Sequence, residues 1–302
     1  MLRHSSDPKY SSYILSYVSN TNHYFALALK AMKVTCLIAA GLFLLLLSEA
    51  VAEETVQEEV EVGTRDLVDA ALSDWDFSLG AGVGIGPDYE GSDDYDIGIL
   101  PVLEASWRDD TFFISSEAGI GATLLRSEHF SAGVAFNYGG GREDGDNSAL
   151  RGLGDIDNGV EVTAFAGLDF DQYAFGVDLT QDISGDAKGT LATFNADYRF
   201  SFLDERLMLE VGPDVSWASS DYMSTYFGVD GKQASRSIYN KYDADAGLKD
   251  VGLHLNAMYA FDENWAVMGG VGYSRLLGDA ADSPIVDSEN QFFSALSVSY
   301  SF

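Results

Sequence analysis

Cysteine is almost missing from this chain of 302 residues, which has a single copy, Cys36. So low a count excludes disulfide bonds and thiolate metal sites. Histidine is nearly as scarce, with 4 copies, and neither an HExxH segment nor another metal-ligand spacing occurs among them. No catalytic, cofactor-binding or metal-binding residue is therefore assigned. We expect a protein that is not an enzyme and uses no cofactor.

Basic residues are too few for a protein that binds nucleic acid. The chain has 17 Lys and Arg against 48 Asp and Glu, which gives a formal net charge of −31. Phosphate binding requires a basic surface, so nucleic acid is excluded as a partner. The acidic excess indicates a solvated surface, and a surface that gathers cations is the alternative.

Long hydrophobic runs are also absent. The run Leu37–Leu47 has 11 residues, whereas a transmembrane helix needs about 20. It lies in a segment, 32–52, with a basic start, a short apolar core and an A-x-A end, which together predict a secretory signal peptide. Cleavage is expected between Ala52 and Glu53. Residues 1–31 are then either a non-native leader or an extended n-region of the signal.

The mature chain changes character at Trp75. Residues 53–74 are acidic and show no strand pattern, so we interpret them as a periplasmic tail. From Trp75 onward apolar and polar residues alternate in segments of about 10 residues separated by turns, which is typical of a transmembrane β-barrel. Such segments include 75–85, 97–107, 130–138, 160–170, 173–179, 190–200, 207–217, 251–261, 265–273 and 292–302.

Alternation alone also suits a soluble β-sandwich, in which the apolar face points into a core. The strands are too many for one sandwich, no helix is expected to cover them, and aromatic residues crowd the strand ends as in the girdles of membrane barrels. These aromatics include Trp75, Trp107, Trp217, Trp265, Tyr138, Tyr173, Phe170 and Phe261. We therefore predict an all-β antiparallel transmembrane barrel over 75–302.

The number of strands is predicted from the requirement that it be even. Eleven segments are clear, including 111–125, but a bacterial barrel of one chain needs an even number. Splitting 111–125 at Glu117-Ala118-Gly119 puts the long loop 87–96 outside and the turn Arg108-Asp109-Asp110 in the periplasm, in agreement with the other long loops and short turns. This predicts 12 strands, with 10 as the alternative. An added strand at 222–229 would also restore parity, but it would place the long loop 139–158 inside.

The face opposite the apolar one carries charge and predicts an acidic lumen. Its acidic members are Glu161, Asp169, Asp178, Asp182, Asp197, Glu210 and Asp214. Because rings of Asp and Glu favour cations, a cation-preferring channel is one possible function. Arg199 among these acids suggests internal ion pairing, and His254 is interpreted as a polar lumen residue satisfied by its neighbours.

The C-terminal strand ends on an aromatic residue. Leu296, Val298, Tyr300 and Phe302 occupy every second position up to the end of the chain. This pattern resembles the signal read by the outer-membrane barrel assembly machinery. We expect that machinery, together with outer-membrane lipid and lipopolysaccharide, among the partners of the protein, and we expect the cell outer membrane as its location.

Several segments resemble the MipA/OmpV family of outer-membrane proteins. They are GPDYEGSDD at 86–94, YFGV at 226–229 and GDAADSPIV at 278–286, each within the predicted barrel. The resemblance implies a scaffold or interaction protein that links a murein-cleaving lytic transglycosylase to a peptidoglycan synthase, and other members imply a surface adhesin or antigen. It carries no catalytic residues. If a murein partner binds, tail 53–74 is the expected contact.

Overall fold

The computed structural model describes residues 74–108, 110–184 and 189–302. They form a closed antiparallel barrel in which β12 pairs with β1. The 12 strands are β1 (Trp75–Pro87), β2 (Tyr95–Trp107), β3 (Phe112–Ser115), β4 (Gly119–Arg126), β5 (Phe130–Gly139), β6 (Gly159–Phe170), β7 (Tyr173–Asp182), β8 (Thr190–Phe202), β9 (Leu207–Ala218), β10 (Gly247–Ala260), β11 (Trp265–Leu276) and β12 (Asn290–Ser301). The prediction of a barrel with 12 strands is confirmed. The predicted leader, signal peptide, cleavage point and tail lie outside the described residues, except for Asp74.

The outer surface of the barrel is apolar. Val83, Ile99 and Val271 expose 53%, 76% and 55% of their surface, and each lies between two inward neighbours that are less exposed. So large an apolar surface would be unfavourable in water but matches the hydrocarbon of a bilayer. The period-2 pattern of the sequence is therefore the lipid-facing and lumen-facing pattern of a membrane barrel.

Aromatic rings gather at the end of the barrel that carries the short turns. Trp265 lies 5.0 Å from Tyr300, and Tyr173 lies 5.0 Å from Tyr198, measured between ring centroids. The turns at this end span 108–111, 127–129, 171–172, 203–206 and 261–264. In outer-membrane barrels the short turns are periplasmic and the long loops extracellular, so this end is taken as periplasmic.

Three short helices, which the sequence pattern did not predict, lie in the extracellular loops. Helices α1 (Ser220–Tyr226) and α2 (Gly231–Arg236) belong to the loop between β9 and β10, and α3 (Gly278–Ala281) follows β11. A 3₁₀ turn at Ser148–Leu150 lies in the loop between β5 and β6. Among the described residues, no helix is long and apolar enough to cross a membrane.

The region 111–125 divides into two short strands, as the parity argument predicted. Strands β3 and β4 are joined by a turn at 116–118, and β3 pairs with β2 only from Glu104 to Trp107. On its other side the hairpin pairs with β5 as far as Phe136. Because β2 continues up to Tyr95 beside β1, the hairpin stops short of the extracellular rim.

The upper part of β2 consequently has a strand partner on one side only. Leu103 turns both backbone groups toward the hairpin: it donates to Ser116 Oγ (3.2 Å) and accepts from the Ser116 N–H (2.9 Å). Backbone groups of an antiparallel strand point alternately to its two sides, so those of Pro101, Ile99 and Ile97 face the same way as those of Leu103. No strand of the described chain pairs with them there. Pro101, which lacks an N–H, removes one donor from this edge.

The unpaired edge of β2 predicts that the amide protons of alternate residues in this strand exchange at different rates. The amide protons of Ile97 and Ile99 should exchange about 10-fold or more faster than those of Gly98 and Leu100, which point toward β1. Residue-resolved exchange of the purified barrel in detergent measures this. Strand β11, which has partners on both sides, serves as the control and should show no alternation. Equal protection of the four amides would mean that another group covers the edge.

Candidate functional site

The acidic residues predicted to face the lumen lie in four consecutive strands. They are Glu161 and Asp169 in β6, Asp178 and Asp182 in β7, Asp197 in β8, and Glu210 and Asp214 in β9. Asp178, Asp182, Asp197 and Glu210 are buried. The wall from β6 to β9 therefore concentrates negative charge on the inside of the barrel, and much of it is removed from water.

Arg199 of β8 joins two of these acids. Its Nη1 lies 2.6 Å from Asp169 Oδ1 and its Nε lies 2.7 Å from Glu210 Oε2. The exposed fraction of the side chain falls from 34% at Asp169 to 21% at Arg199 and 2% at Glu210. Asp169 directly precedes the end of β6 at a periplasmic turn, so the network runs from the periplasmic opening into the lumen.

His254 of β10 continues the network. Its Nε2 lies 2.9 Å from Asp197 Oδ1 and its Nδ1 lies 3.5 Å from Asp214 Oδ1. The imidazole is buried and both of its nitrogens contact carboxylates, from β8 and β9, in agreement with the interpretation of His254 as a satisfied lumen residue. Asp197, Glu210 and His254 each place one possible metal-ligand atom within 4.8 Å of the other two. They come from three adjacent strands, so no sequence spacing reveals the group.

Inward-facing glycines make room for this network. A Cβ at Gly212 in β9 would lie 2.0 Å from Asp197 Oδ1, and a Cβ at Gly252 in β10 would lie 2.5 Å from Asp214 Oδ1. Each carboxylate therefore lies over a glycine of the next strand. A side chain at that glycine position would clash with the carboxylate. In this way the alternating glycines let side chains from separate strands meet.

Apolar contacts cross the periplasmic half of the lumen. Val102 of β2 packs with Met258 of β10 and with Ala266 and Met268 of β11, and Met208 of β9 packs against them. Three strands separate β2 from β10 along the wall, so these contacts span the interior. Part of the lumen is therefore filled by side chains, as expected for a barrel of this size.

The extracellular loops pack over the opposite end of the barrel. Loops 88–94, 140–158, 219–246 and 277–289 together are called the cap here. One apolar cluster draws on all four loops and contains Tyr89, Leu150, Leu153, Val229 and Ile285. A second contains Leu191, Ala218, Tyr222, Met223, Tyr226, Phe227, Ala244, Leu276 and Ala280. The cap therefore has a core of its own, built from loops that start on different sides of the barrel.

A buried lysine ties the cap to the wall. Lys249, at the extracellular end of β10, is fully buried and ion-pairs with Glu90 in loop 88–94 and with Asp250. The hydroxyl of Tyr222 in α1 donates to the other Glu90 oxygen at 3.2 Å. One carboxylate thus connects a loop, a helix and a strand. Removal of one partner would leave a buried charge without compensation.

Two further polar groups hold the cap loops together. The Tyr89 hydroxyl lies 3.0 Å from both Ile285 O and Asp287 Oδ2, and burial, with the Asp287 carboxylate, raises the pKa of Tyr89 well above its usual value. Arg142 Nη1 donates to Tyr226 O at 3.1 Å, and burial lowers the pKa of Arg142. The phenol therefore remains a donor at any physiological pH, and these contacts join loop 88–94 to loop 277–289 and loop 140–158 to loop 219–246.

The residues of the predicted assembly signal lie along β12. Leu296, Val298 and Phe302 expose 57%, 41% and 70% of their surface on the lipid-facing side, and the Tyr300 ring lies against Trp265. Strand β12 pairs with β1 and closes the barrel. The recognition of these residues by the assembly machinery stays a prediction.

Sequence reasoning missed the helices of the cap, although signals for them are present. Ser219 caps α1 by accepting from the Tyr222 N–H, and Asp230 caps α2 in a capping box with Gln233. Both are Ser or Asp at the start of a short segment, and the second has Gln three residues later. The buried Lys249 carried no comparable signal.

The chain matches a family model and several named proteins. The model is described as MltA-interacting protein MipA and matches residues 79–302. The MltA-interacting protein of Escherichia coli K12 is 28% identical over 236 residues, 75% of this chain and 90% of that protein. The outer membrane protein OmpV of Vibrio cholerae is 30% identical over 220 residues, 59% of this chain and 82% of that protein. A solved outer membrane channel from Pseudomonas putida F1 is 13% identical, with a TM-score of 0.38 and coverage of 75% of this chain and 95% of that one.

Truncation of a side chain in the core of the cap should destabilise the cap loops locally. Phe227 is completely buried in the cap, so Phe227→Ala should cost about 3–5 kcal/mol of packing energy. We expect the cap loops to become sensitive to protease added to intact cells, while the barrel keeps its heat-modifiable migration. Ile238→Ala in the same loop is the matched control, because Ile238 is 88% exposed. Equal protease resistance of the two variants would contradict an independently packed cap.

Proposed function

This chain belongs to the MltA-interacting protein MipA family and lies in the outer membrane, and we propose that it is a non-catalytic docking protein for a periplasmic lytic transglycosylase. The family match over 79–302 carries the proposal, because it covers all of the barrel except the first four residues of β1. In this proposal the barrel holds the hydrolase at the membrane and brings it close to a peptidoglycan synthase, so that cleavage and synthesis of murein occur together.

The periplasmic end of the barrel supplies the surface for such docking. Trp75, the first residue of β1, pairs with Trp107 beside the short turn 108–111. Asp74 and Arg108 form a 2.8 Å ion pair at this rim. Asp74, the last residue of the predicted tail 53–74, therefore lies beside the turn 108–111 at the periplasmic rim.

The tail is the most extensive periplasmic segment that the sequence offers. The periplasmic turns have only two to four residues each, too short to form a recognition surface individually. The tail has eight acidic residues and one basic residue. Its partner would therefore present a basic surface, and binding should weaken as salt screens the charges.

Deletion of the tail tests the proposal. The full chain without residues 53–72 should insert and show heat-modifiable migration, because the strands of the barrel begin at Trp75. Pull-down of a purified lytic transglycosylase should fall by about 10-fold or more, since charged rim contacts govern encounter and orientation. A full pull-down with the deleted chain would contradict docking through the tail.

A variant with neutralised tail residues separates the effect of the charge of the tail from the effect of its length. Glu58→Gln, Glu59→Gln and Glu61→Gln together should weaken the pull-down and reduce its salt dependence. The matched control neutralises three exposed acids on the extracellular side, namely Asp93→Asn, Glu143→Gln and Asp243→Asn. Equal loss in both triple variants would point to net charge of the whole protein rather than to the tail.

A cation-preferring channel is the second candidate, and the acidic wall from β6 to β9 favours it. Rings of carboxylates attract cations and repel anions. The contacts of Val102 with Met258 and Met268 across the lumen, and the packed cap, oppose conduction. We therefore expect no steps from the wild type in a planar bilayer, and cation-selective steps only when loop residues 220–245 are removed. Steady cation-selective steps from the wild type would favour the channel over docking.

A further inference from the structure

The charged network in the lumen contains a group of residues suited to a divalent metal ion. Asp197, Glu210 and His254 project from β8, β9 and β10 near the periplasmic end, and all three are buried. Their candidate ligand atoms lie within 4.8 Å of one another. A zinc ion about 2.1 Å from each ligand needs ligand separations of about 3.4 Å, so small adjustments of the three side chains would complete the site.

Glu210 has an oxygen that the protein leaves unsatisfied. The residue is only 1% exposed, and its Oε2 is held by Arg199. Its Oε1 is buried and has no hydrogen-bond partner among the described residues. A buried acceptor without a donor is costly, and such a group is a sign of a bound ion or water.

The charge balance of the network points to a cation. Four carboxylates, those of Asp169, Asp197, Glu210 and Asp214, face one guanidinium and one imidazole. Even with His254 protonated, the network remains negative. In a partly buried setting this excess is unfavourable, and a divalent ion would neutralise it.

Asp214 gives the imidazole the support that metal-bound histidines require. Its Oδ1 lies 3.5 Å from His254 Nδ1, on the side away from Asp197. A histidine that binds metal through one nitrogen commonly donates its other N–H to a carboxylate, which fixes the tautomer and the ring orientation. Without an ion, Nε2–H donates to Asp197 Oδ1 at 2.9 Å. Loss of that proton, with Nδ1–H kept on Asp214, would leave the Nε2 lone pair to an ion bound between His254 and Asp197.

We propose that Asp197, Glu210 and His254 bind one zinc ion, with His254 Nε2, one oxygen of Asp197 and Oε1 of Glu210 as ligands and Asp214 as a positioning residue. One nitrogen and two oxygen ligands match the preferences of zinc, and a fourth position would hold water. The ion would displace the Nε2 proton of His254 to solvent and would tie three strands together at the periplasmic end of the barrel.

Metal titration of the full-length protein in detergent, stripped beforehand with chelator, tests the proposal. We expect one equivalent of Zn²⁺ to bind in competition with a chromophoric chelator and to raise Tm. Glu210→Gln and His254→Gln should remove this equivalent, and Asp214→Asn should weaken the affinity by about 10- to 100-fold. Asp178→Asn is the matched control, since Asp178 is a buried inward carboxylate outside the group, and it should bind like the wild type.

The outcomes separate a built site from binding by acidic surfaces. Wild-type protein that retains no stoichiometric Zn²⁺ would overturn the proposal, as would wild-type affinity in both Glu210→Gln and His254→Gln. Heat-modifiable migration reports whether each variant has folded. If the His254 variant does not fold, the absorption spectrum of Co²⁺ bound to the wild-type protein tests the site instead. Intense d–d bands of a four- or five-coordinate ion support the site, and the weak spectrum of an octahedral aqueous ion contradicts it.

Discussion

The structure depends on one constraint, which is that a backbone in hydrocarbon must satisfy its own hydrogen bonds. A sheet achieves this only by closing, and here closure is made between β1 and β12, from Ser78 opposite Ser301 to Ile85 opposite Ser294. The two strands approach so closely that a Cβ at Gly80 would lie 2.2 Å from Val298 O. The upper edge of β2 departs from this rule, and the departure lies beside the short hairpin of β3 and β4. Pro101 reduces the number of unpaired donors at this edge but does not remove the acceptors.

Closure also fixes what the interior must contain. Once alternate residues face lipid, the remaining residues point into a confined space, where side chains from separate strands come within contact of one another. On one side this space holds Val102 and its methionine partners, and on the other it holds Arg199, His254 and their carboxylates. Glycines at inward positions let the carboxylates reach across a neighbouring strand. The same alternation that inserts the barrel into a membrane thus assembles a charged network that no single strand encodes.

This explains why some features could be predicted from the sequence and others could not. Strand location, strand number and the division of 111–125 follow from local alternation and from parity, both of which are properties of the sequence itself. The inward position of the acidic residues follows from the same period. The grouping of Asp197, Glu210 and His254 depends on the register of three strands, which hydrophobic periodicity does not specify to the residue. The cap was missed because its core combines single residues from four loops, such as Tyr89, Leu150 and Ile285, and none of them lies in a periodic segment.

The two ends of the barrel differ in a way that bears on its role. At the extracellular end, several buried polar groups of the cap pair with one another: Lys249 with Glu90, Tyr89 with Ile285 and Asp287, and Arg142 with Tyr226. An outside partner would have to compete with contacts that are already buried. At the periplasmic end the turns are exposed and charged, and Asp74 pairs with Arg108 beside them. A docking role directed at the periplasm would therefore use the exposed turns at this end, while the cap packs over the opposite end of the barrel.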